Sequence, residues 1–375
     1  LRALCAFAQV PHVWLPDDGT RWQNLRVNAA IELGRRRGTI LRFPARNRLD
    51  EYPLVPYLVE PGGRIQVDTS AIARWFDACH PAPAGPFFPA DPVTGWVAAF
   101  LDEAFDELGL YLVHHNRWVL SATTNDAGTR LAHEQRRVLP PGMGPRFARW
   151  FAERQVRRLP YLFSVAPPGY AVPGLEPRLT PPSRPGFPPT HDLLDGIWRD
   201  VLAVLEALLA TRPWILGERF TIADAAVYGQ LAMNLKDPTA NEELAARAPR
   251  THAWLCGIGA GVHTTSSGPV GVGSELAPLL NLLGATFVPL MQQNERAWAA
   301  ARAAGQTRFN EAAFDRSEAL YDGTLRGHPF RSVAKTFQVR VWHDLLDSWR
   351  LLDREQRDAL ARLGLVADGF DAAAS

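Results

Sequence analysis

Hydrophobic positions in the first forty residues switch between helical and strand-like spacing. Residues 1–9 place their apolar side chains on one helical face, and Pro11 ends that helix. The run from His12 to Leu15 is short and apolar, which predicts a strand. From Trp22 to Leu33 the apolar residues return at helical intervals, which predicts a second helix.

A β-hairpin followed by a helix is predicted next. Leu54 to Glu60 and Arg64 to Asp68 are strand-like runs on either side of Pro61-Gly62-Gly63. Glycine supplies the positive φ that a tight hairpin turn needs. Apolar residues from Ile72 onwards then follow helical spacing, and this helix is expected to end near His80.

Strand signals almost vanish after a proline-rich connector at residues 81–92, and amphipathic helical segments replace them. Prolines are so dense between Pro160 and Pro189 that neither helix nor sheet can continue, and we expect an extended surface loop there. Two helical stripes, at residues 279–291 and 337–349, predict a helical tail. The clearest stripe, at i, i+4 spacing, contains Trp96, Phe100, Ala104 and Leu108.

The change in composition after residue 80 predicts two domains and an extension. A chain of 375 residues is long enough for this division. We expect a mixed α/β domain at residues 1–80, a linker at 81–95, a helical domain at 96–260 that contains the loop at 160–190, and a helical extension at 276–375.

Composition argues against several classes of partner. Lys and Arg number 40 against 39 Asp and Glu, so the net charge of +1 gives no global field that attracts nucleic acid or an anionic membrane. The Arg35-Arg36-Arg37 triplet is interpreted as a solvated helix end. No apolar run reaches the roughly eighteen residues of a membrane helix. We therefore expect neither nucleic acid nor a membrane as a partner.

Cysteine, histidine and carboxylate spacing gives little support for metal or glycosidase chemistry. The three cysteines, Cys5, Cys79 and Cys256, are odd in number and far apart, which favours free, buried thiols in a reducing, cytoplasmic compartment. No His-Glu-x-x-His or Cys-x-x-Cys spacing occurs, so no metal is expected. Acidic neighbours on one helix do not face each other across a cleft, which excludes a glycosidase pair among Asp91, Asp102, Glu103, Asp106 and Glu107.

The segment at residues 52–78, YPLVPYLVEPGGRIQVDTSAIARWFDA, resembles the second half of the thioredoxin-like domain of glutathione transferases. Val55-Pro56 stands where that family has a cis-proline, which turns the Val55 backbone outward to pair with a peptide-like ligand. Asp68-Thr69 matches the family's acid-Ser signature, with Thr in place of Ser. The resemblance implies that this hydroxyl and the first-turn N–H groups hold the γ-glutamyl carboxylate of glutathione. The structural alternatives are an ordinary N-cap at Thr69 and an ordinary strand entry at Val55-Pro56.

A second segment, WILGERFTIADAAVYGQL at residues 214–231, resembles the helical domain of the same family. Thr221 and Asp224 form a capping pair at a helix start, which is a structural role and not a catalytic one. Together the motifs imply an α/β thioredoxin-like domain followed by an all-α helical domain with a helical C-terminal extension. The resemblance covers about residues 1 to 260.

The resemblance implies glutathione as a co-substrate whose thiolate attacks a hydrophobic electrophile. In that family the activating Tyr, Ser or Cys lies between the first strand and the first helix, and Leu1 to Leu4 already has the pattern of that helix's interior. The first strand and the activating residue are therefore expected before Leu1, and no catalytic residue is assigned in this chain. A homodimer is one assembly that the resemblance allows.

The first long helix of the helical domain faces the substrate cleft in the resembled fold. Its candidate cleft residues are Phe100, Glu103, His114 and Trp118, and the alternative for them is core packing with a solvated polar face. Two other functions stay open. One is a non-catalytic interaction or regulatory module that keeps the fold, and the other is a glutathione-dependent etherase, dehalogenase or isomerase.

Overall fold

The computed structural model describes residues 1–42, 55–365 and 369–370. Residues 52–54 lie outside the described residues, so the predicted strand start at Leu54 does too. The same holds for residues 366–368 and 371–375 of the predicted extension.

The N-terminal part contains the predicted hairpin and three helices. The two strands pair antiparallel, with Tyr57 opposite Val67, and Gly63 in their turn has a φ of 82°. The hairpin prediction is therefore confirmed. The elements are α1 (Arg2–Phe7), α2 (Arg21–Arg37), β1 (Tyr57–Val59), β2 (Ile65–Val67) and α3 (Thr69–Cys79).

The sheet in this part is small among the described residues. Leu41 pairs in parallel with Gln66 on the edge of β2 that faces away from β1. The predicted strand at His12–Leu15 is wrong, because the chain has no strand pairing there and enters a turn in which the Asp18 N–H donates to the Trp14 carbonyl at 2.8 Å. A thioredoxin-like fold for residues 1–80 stays a prediction.

Helix α2 forms as predicted, but its apolar stripe faces solvent. A capping box between Thr20 and Gln23 begins the helix. Trp22 is 81% exposed and Leu25 and Leu33 are also exposed, because no other described element packs over this side. The three arginines at positions 35–37 form its last turn, where their positive charges interact favourably with the negative end of the helix dipole.

Helices dominate the middle of the chain. The first of them begins at Pro92, within the range expected as the linker, and continues through two π-helical turns at residues 105–109 and 116–120. Short 3₁₀ turns lie at residues 135–137, 177–179, 234–236, 262–265 and 274–276. The helices are α4 (Pro92–Ala104), α5 (Leu110–His115), α6 (Ala127–Glu134), α7 (Gly144–Arg158), α8 (His191–Leu208), α9 (Ile222–Leu231), α10 (Pro238–Arg247) and α11 (Pro249–Gly259).

The main hydrophobic core forms around α4. All four members of its stripe, from Trp96 to Leu108, are at most 3% exposed, as the i, i+4 spacing predicts. Helix α4 packs against α9 on one side. The core also includes residues of α8, α12, α13 and α15, so the tail and the middle of the chain share it.

The proline-rich stretch is irregular, as predicted, but its first part is not on the surface. Residues 162–166 are buried. Thr190 provides hydrogen bonds to two backbone groups of this buried stretch. Its hydroxyl accepts from the Val165 N–H at 2.9 Å and donates to the Phe163 carbonyl at 2.5 Å. The prediction of a surface loop is therefore wrong for these residues.

The described part of the tail is mostly helical, as predicted, but it also contains a second β-hairpin, which the sequence analysis did not predict. Leu320 pairs with Val333 and Leu325 with His328 across an antiparallel ladder. The tail elements are α12 (Ala277–Gly284), α13 (Phe287–Ala303), α14 (Glu311–Asp315), β3 (Leu320–Leu325), β4 (His328–Val333), α15 (Thr336–Arg350) and α16 (Arg354–Arg362).

One described segment, Ser274–Ala303, is long and apolar enough to cross a membrane by length and composition. More than half of its most apolar window, 56%, is buried inside the protein. Core helices of water-soluble domains have the same property, so this segment is weak support for a membrane span.

Candidate functional site

The N-terminus of α3 carries the two residues that the sequence predicts for a ligand carboxylate. Asp68 is the N-cap, with a φ of 77°, and its Oδ1 accepts from the Ala71 N–H at 3.2 Å. Thr69 is the first helical residue and is half-buried, so it is not the N-cap that the structural alternative proposed. The Val55–Pro56 peptide bond is cis, and Val55 is 82% exposed.

Several donors at this helix end are unused. Within the described residues, the backbone N–H groups of Thr69 and Ser70 and the Thr69 hydroxyl have no hydrogen-bond partner. The Ser70 hydroxyl, in contrast, bonds to the Asp102 carboxylate. Unsatisfied N–H groups at a helix N-terminus attract anions, because the helix dipole adds to their partial positive charge.

Two arginines from distant parts of the chain hold the Asp68 carboxylate. Arg42 Nε lies 2.8 Å and Arg340 Nη2 lies 3.4 Å from Asp68 Oδ2. Asp344, one turn after Arg340 on α15, lies 2.9 Å from Arg340 Nη1 and 3.5 Å from Arg42 Nη2. Among the described residues, two guanidinium groups therefore face two carboxylates, and these four charges balance at the N-terminus of α3.

A row of buried carboxylates runs along α4 and its first π-helical turn. Burial raises the pKa of Glu103 to about 8, against the nearby positive charge of Arg340, and burial raises the pKa of Glu107 to about 7 and of Asp106 to about 6. Burial also raises the pKa of Asp102 well above its ordinary value. The spacing placed these groups on one helix surface but did not indicate that three other helices contact them. Asp102 bonds to Ser70 of α3, Asp106 accepts from Gln230 of α9 at 3.2 Å, and Glu107 accepts from Gln338 of α15.

A hydrogen-bonded chain links this acidic row to the tail helix α15. Gln338 Nε2 donates to Glu107 Oε2 and to the Tyr111 hydroxyl, both at 2.8 Å. Lys335 also donates to the Tyr111 hydroxyl, and its ammonium lies 4.5 Å from the Tyr111 ring and 4.9 Å from the Tyr161 ring. Lys335 is only 7% exposed, and Tyr111 is also buried. These contacts fasten the extension to the first long helix.

The four predicted cleft residues lie in different surroundings. Phe100 is fully buried and stacks on Trp96 with ring centroids 5.3 Å apart. Trp118 is buried in a separate cluster beside α7. His114 bonds through Nδ1 to a backbone carbonyl at 3.0 Å, and burial lowers its pKa to about 4. Glu103 is the member of this set that lies near the charges of Asp68 and Arg340.

The cysteines divide between core and surface. Cys5 is 2% exposed, and burial raises the pKa of its thiol, as expected for a small core residue. Cys79 and Cys256 are exposed, so the expectation that they are buried is wrong. In the part of the chain that the structure describes, no group of three His, Cys, Asp or Glu side chains is arranged to hold a metal ion.

Thr221 and Asp224 make the capping box that the sequence predicts at the start of α9. The Thr221 N–H and hydroxyl both donate to Asp224 Oδ2 at 2.8 Å. The Ile215 N–H donates to the other carboxylate oxygen at 2.7 Å. The pair is fully buried and joins the helix start to the preceding loop.

Comparison with known protein families finds a match in the second half of the helical region. Residues 188–255 match the family described as Glutathione S-transferase, C-terminal domain. No curated protein and no solved structure matches the chain. The matched residues span α8, α9, α10 and most of α11 and include the Thr221–Asp224 capping box. The match supports a helical domain of the glutathione S-transferase C-terminal type in this part of the chain.

Proposed function

We propose that this protein is a glutathione transferase-like protein that binds glutathione and adds its thiolate to a hydrophobic electrophile. The observation that carries the proposal is the match of residues 188–255 to the glutathione S-transferase C-terminal domain. In the resembled family, this domain follows a domain that binds glutathione. A reducing, cytoplasmic location fits the proposal, because it keeps both glutathione and the three cysteines as thiols.

The tripeptide lies across the N-terminal part in this proposal. Its γ-glutamyl carboxylate accepts hydrogen bonds from the Thr69 hydroxyl and from the N–H groups of Thr69 and Ser70, and its main chain pairs with Val55 next to Pro56. The unused donors at the start of α3 and the exposure of Val55 support this arrangement. So does the pairing of Asp68 with two guanidinium groups, because an unpaired carboxylate would repel the ligand.

The chemistry in the proposal is nucleophilic substitution or addition by sulfur. In a substitution, the thiol proton passes to solvent, a sulfur–carbon bond forms, and the leaving group departs with the electron pair of the carbon bond that breaks. Positive polarisation at the sulfur, from a helix N-terminus or a nearby hydrogen-bond donor, favours the thiolate over the thiol.

Glutathione binding by the full chain tests the proposal. Thr69→Ala removes one donor to a charged carboxylate, so calorimetric titration should show affinity weakened by about 1–3 kcal/mol. Thr129→Ala is the matched control, since Thr129 lies exposed on α6, and its affinity should equal that of the wild type. Equal binding by the wild type and a folded Thr69→Ala variant would refute the assignment of Thr69.

A second candidate function is a non-catalytic module that binds glutathione or a partner without turnover. The observation that favours it is the contact between Arg340 of the tail and Asp68 at the proposed ligand site, since the tail then covers part of that site. Incubation with glutathione and a chromogenic aryl halide separates the two candidates. Conjugate formation supports the transferase, whereas glutathione binding without conjugation of any tested electrophile supports the module.

A further inference from the structure

A cavity of about 450 Å³ lies outside the proposed glutathione site, between the second π-helical turn, α8 and α10. His115 and His191 line one part of it, and Asp192, Glu243 and the apolar side chains of Val119 and Leu120 line others. None of these residues belongs to the proposed glutathione site.

One buried polar group in this cavity has an unused hydrogen-bonding position. His191 is 8% exposed, and its Nε2 has no hydrogen-bond partner among the described residues. Its ring meets the His115 ring edge-on at 4.8 Å, and His115 Nδ1 lies 2.9 Å from the Ser164 hydroxyl. Burial lowers the pKa of His191 to about 4, so the ring is neutral at pH 7, and in the tautomer that carries its proton on Nδ1 the Nε2 atom is an acceptor.

Unused acceptor capacity continues on α10 and at the start of α8. Glu243 Oε1 accepts from Arg247 at 2.7 Å, but Glu243 Oε2 is buried without a partner in the described structure. Asp192 is exposed, and no described residue pairs with it. A buried acceptor without a donor is costly, so each such atom marks a position where a ligand atom would be stabilising.

The charges around the cavity determine which sign of charge a ligand should carry. Asp195 lies 2.6 Å from Arg199, and Glu243 pairs with Arg247, so each arginine already faces a carboxylate. Asp192 adds a third carboxylate against two guanidinium groups. An anionic ligand would meet this excess of negative charge, whereas a cation would offset it.

We propose that this cavity binds a small organic amine, a protonated primary amine on a short carbon chain. The ammonium group has three donors, which match the unused acceptors Glu243 Oε2 and His191 Nε2, and its charge balances Asp192. The carbon chain contacts Val119 and Leu120, and the edges and faces of the two imidazole rings complete the wall. The inference does not depend on glutathione binding.

Calorimetric titration of the full chain with putrescine tests the inference. We expect the wild type to bind putrescine saturably at concentrations below about 20 mM. We expect no binding of the diol analogue, in which hydroxyls replace both amino groups. Glu243→Gln should weaken putrescine binding about tenfold or more, because it removes the charge that the ammonium group meets. Glu242→Gln is the matched control, since it removes an exposed charge one residue away that does not line the cavity.

The outcomes separate cleanly. Absence of putrescine binding to a folded wild-type chain overturns the inference. Equal weakening by Glu242→Gln and Glu243→Gln also overturns it, because that result indicates attraction to surface charge in general. Should Glu243→Gln unfold, Asp192→Asn at the exposed start of α8 serves as the second variant, with a smaller loss of affinity expected.

Discussion

Arg340 supplies charge to the proposed glutathione site from the opposite end of the chain. Its side chain is 1% exposed, and 272 positions separate it from Asp68, with which it pairs. A buried guanidinium needs carboxylate partners, and a ligand carboxylate beside Asp68 needs that charge to be neutralised. Arg340 therefore positions Asp68 and offsets its charge.

Replacement of Arg340 by glutamine should weaken glutathione binding about tenfold or more, because Asp68 then repels the γ-glutamyl carboxylate. Titration calorimetry on the full chain measures the change. Arg326→Gln is the control, since it removes a half-exposed tail arginine that pairs with Asp200 at the surface. Unchanged affinity in a folded Arg340→Gln protein, judged by circular dichroism, contradicts this role for Arg340.

Glu103 makes stability depend on pH. Its folded-state pKa of about 8 lies above the ordinary value for glutamate. Its contribution to stability is therefore fully present below the unfolded-state pKa and is lost as the pH rises through about 8.

Glu103→Gln removes this titration, so the free energy of unfolding of the variant should rise relative to that of the wild type between about pH 5 and 8. We expect a relative gain on the order of a few kcal/mol. Urea unfolding at each pH measures it. Glu355→Gln, at an exposed position of α16, should show no such trend. A flat difference for Glu103→Gln would mean that this carboxylate is ionised in the folded protein as in the unfolded one.

Single residues were predictable from sequence where the chemistry was local. The capping pair Thr221–Asp224 follows from a short local motif, whereas the cis bond before Pro56 was implied by the family resemblance of residues 52–78. The roles of Arg42, Lys335 and Arg340 do not, because no periodicity connects them to residues that lie far away in sequence. The sequence contained one weak indication for Lys335, because lysine is rare in this chain and Lys335 is one of only two.

At the scale of elements, local rules located most helices but not the second hairpin. Strands β3 and β4 meet at Arg326-Gly327, and both residues have positive φ, at 50° and 81°. A two-residue turn of this kind is usually signalled by Asn-Gly or Asp-Gly, and arginine at positive φ is uncommon, so the turn gave no clear sequence signal. In α2 the periodicity predicts the helix correctly, but the apolar stripe that it would bury is exposed to solvent.

The capping box at the start of α9 should be measurable as stability. Thr221→Ala leaves Asp224 without its hydroxyl donor in a fully buried position, so the free energy of unfolding should fall by about 1–2 kcal/mol. Urea denaturation followed by circular dichroism measures the loss. Thr307→Ala, at an exposed position without a described partner, should change stability by less than about 0.5 kcal/mol. A loss no larger than that of the control would show that the box is not stabilising.

At the scale of the whole molecule, the tail is part of the main core. Helix α15 packs against α4 and α13, and the Trp96 indole donates to the Leu345 carbonyl at 3.4 Å. Trp349 is fully buried, 5.0 Å from the Trp96 ring and 5.1 Å from the Phe370 ring. The stripe at residues 337–349 indicated that α15 packs on something, but sequence could not identify α4 as its partner.

Trp349→Ala should therefore destabilise the whole protein and not the tail alone. Loss of this buried ring should cost about 3–5 kcal/mol in the free energy of unfolding, measured by denaturant titration with probes for both helix content and tertiary packing. Leu351→Ala is the control, because Leu351 follows α15 directly and is 86% exposed. Two separate transitions in the Trp349→Ala protein, with the midpoint for α4–α9 unchanged, would contradict a shared core.

A paired titration tests whether the start of α3 recognises the γ-glutamyl end of glutathione, as we propose. The full chain is titrated with glutathione and with cysteinylglycine, which lacks the γ-glutamyl group. We expect saturable binding of glutathione, and binding of cysteinylglycine that is weaker by about a hundredfold or is undetectable. Equal affinity for both compounds, or no binding of glutathione by the folded chain, would contradict it.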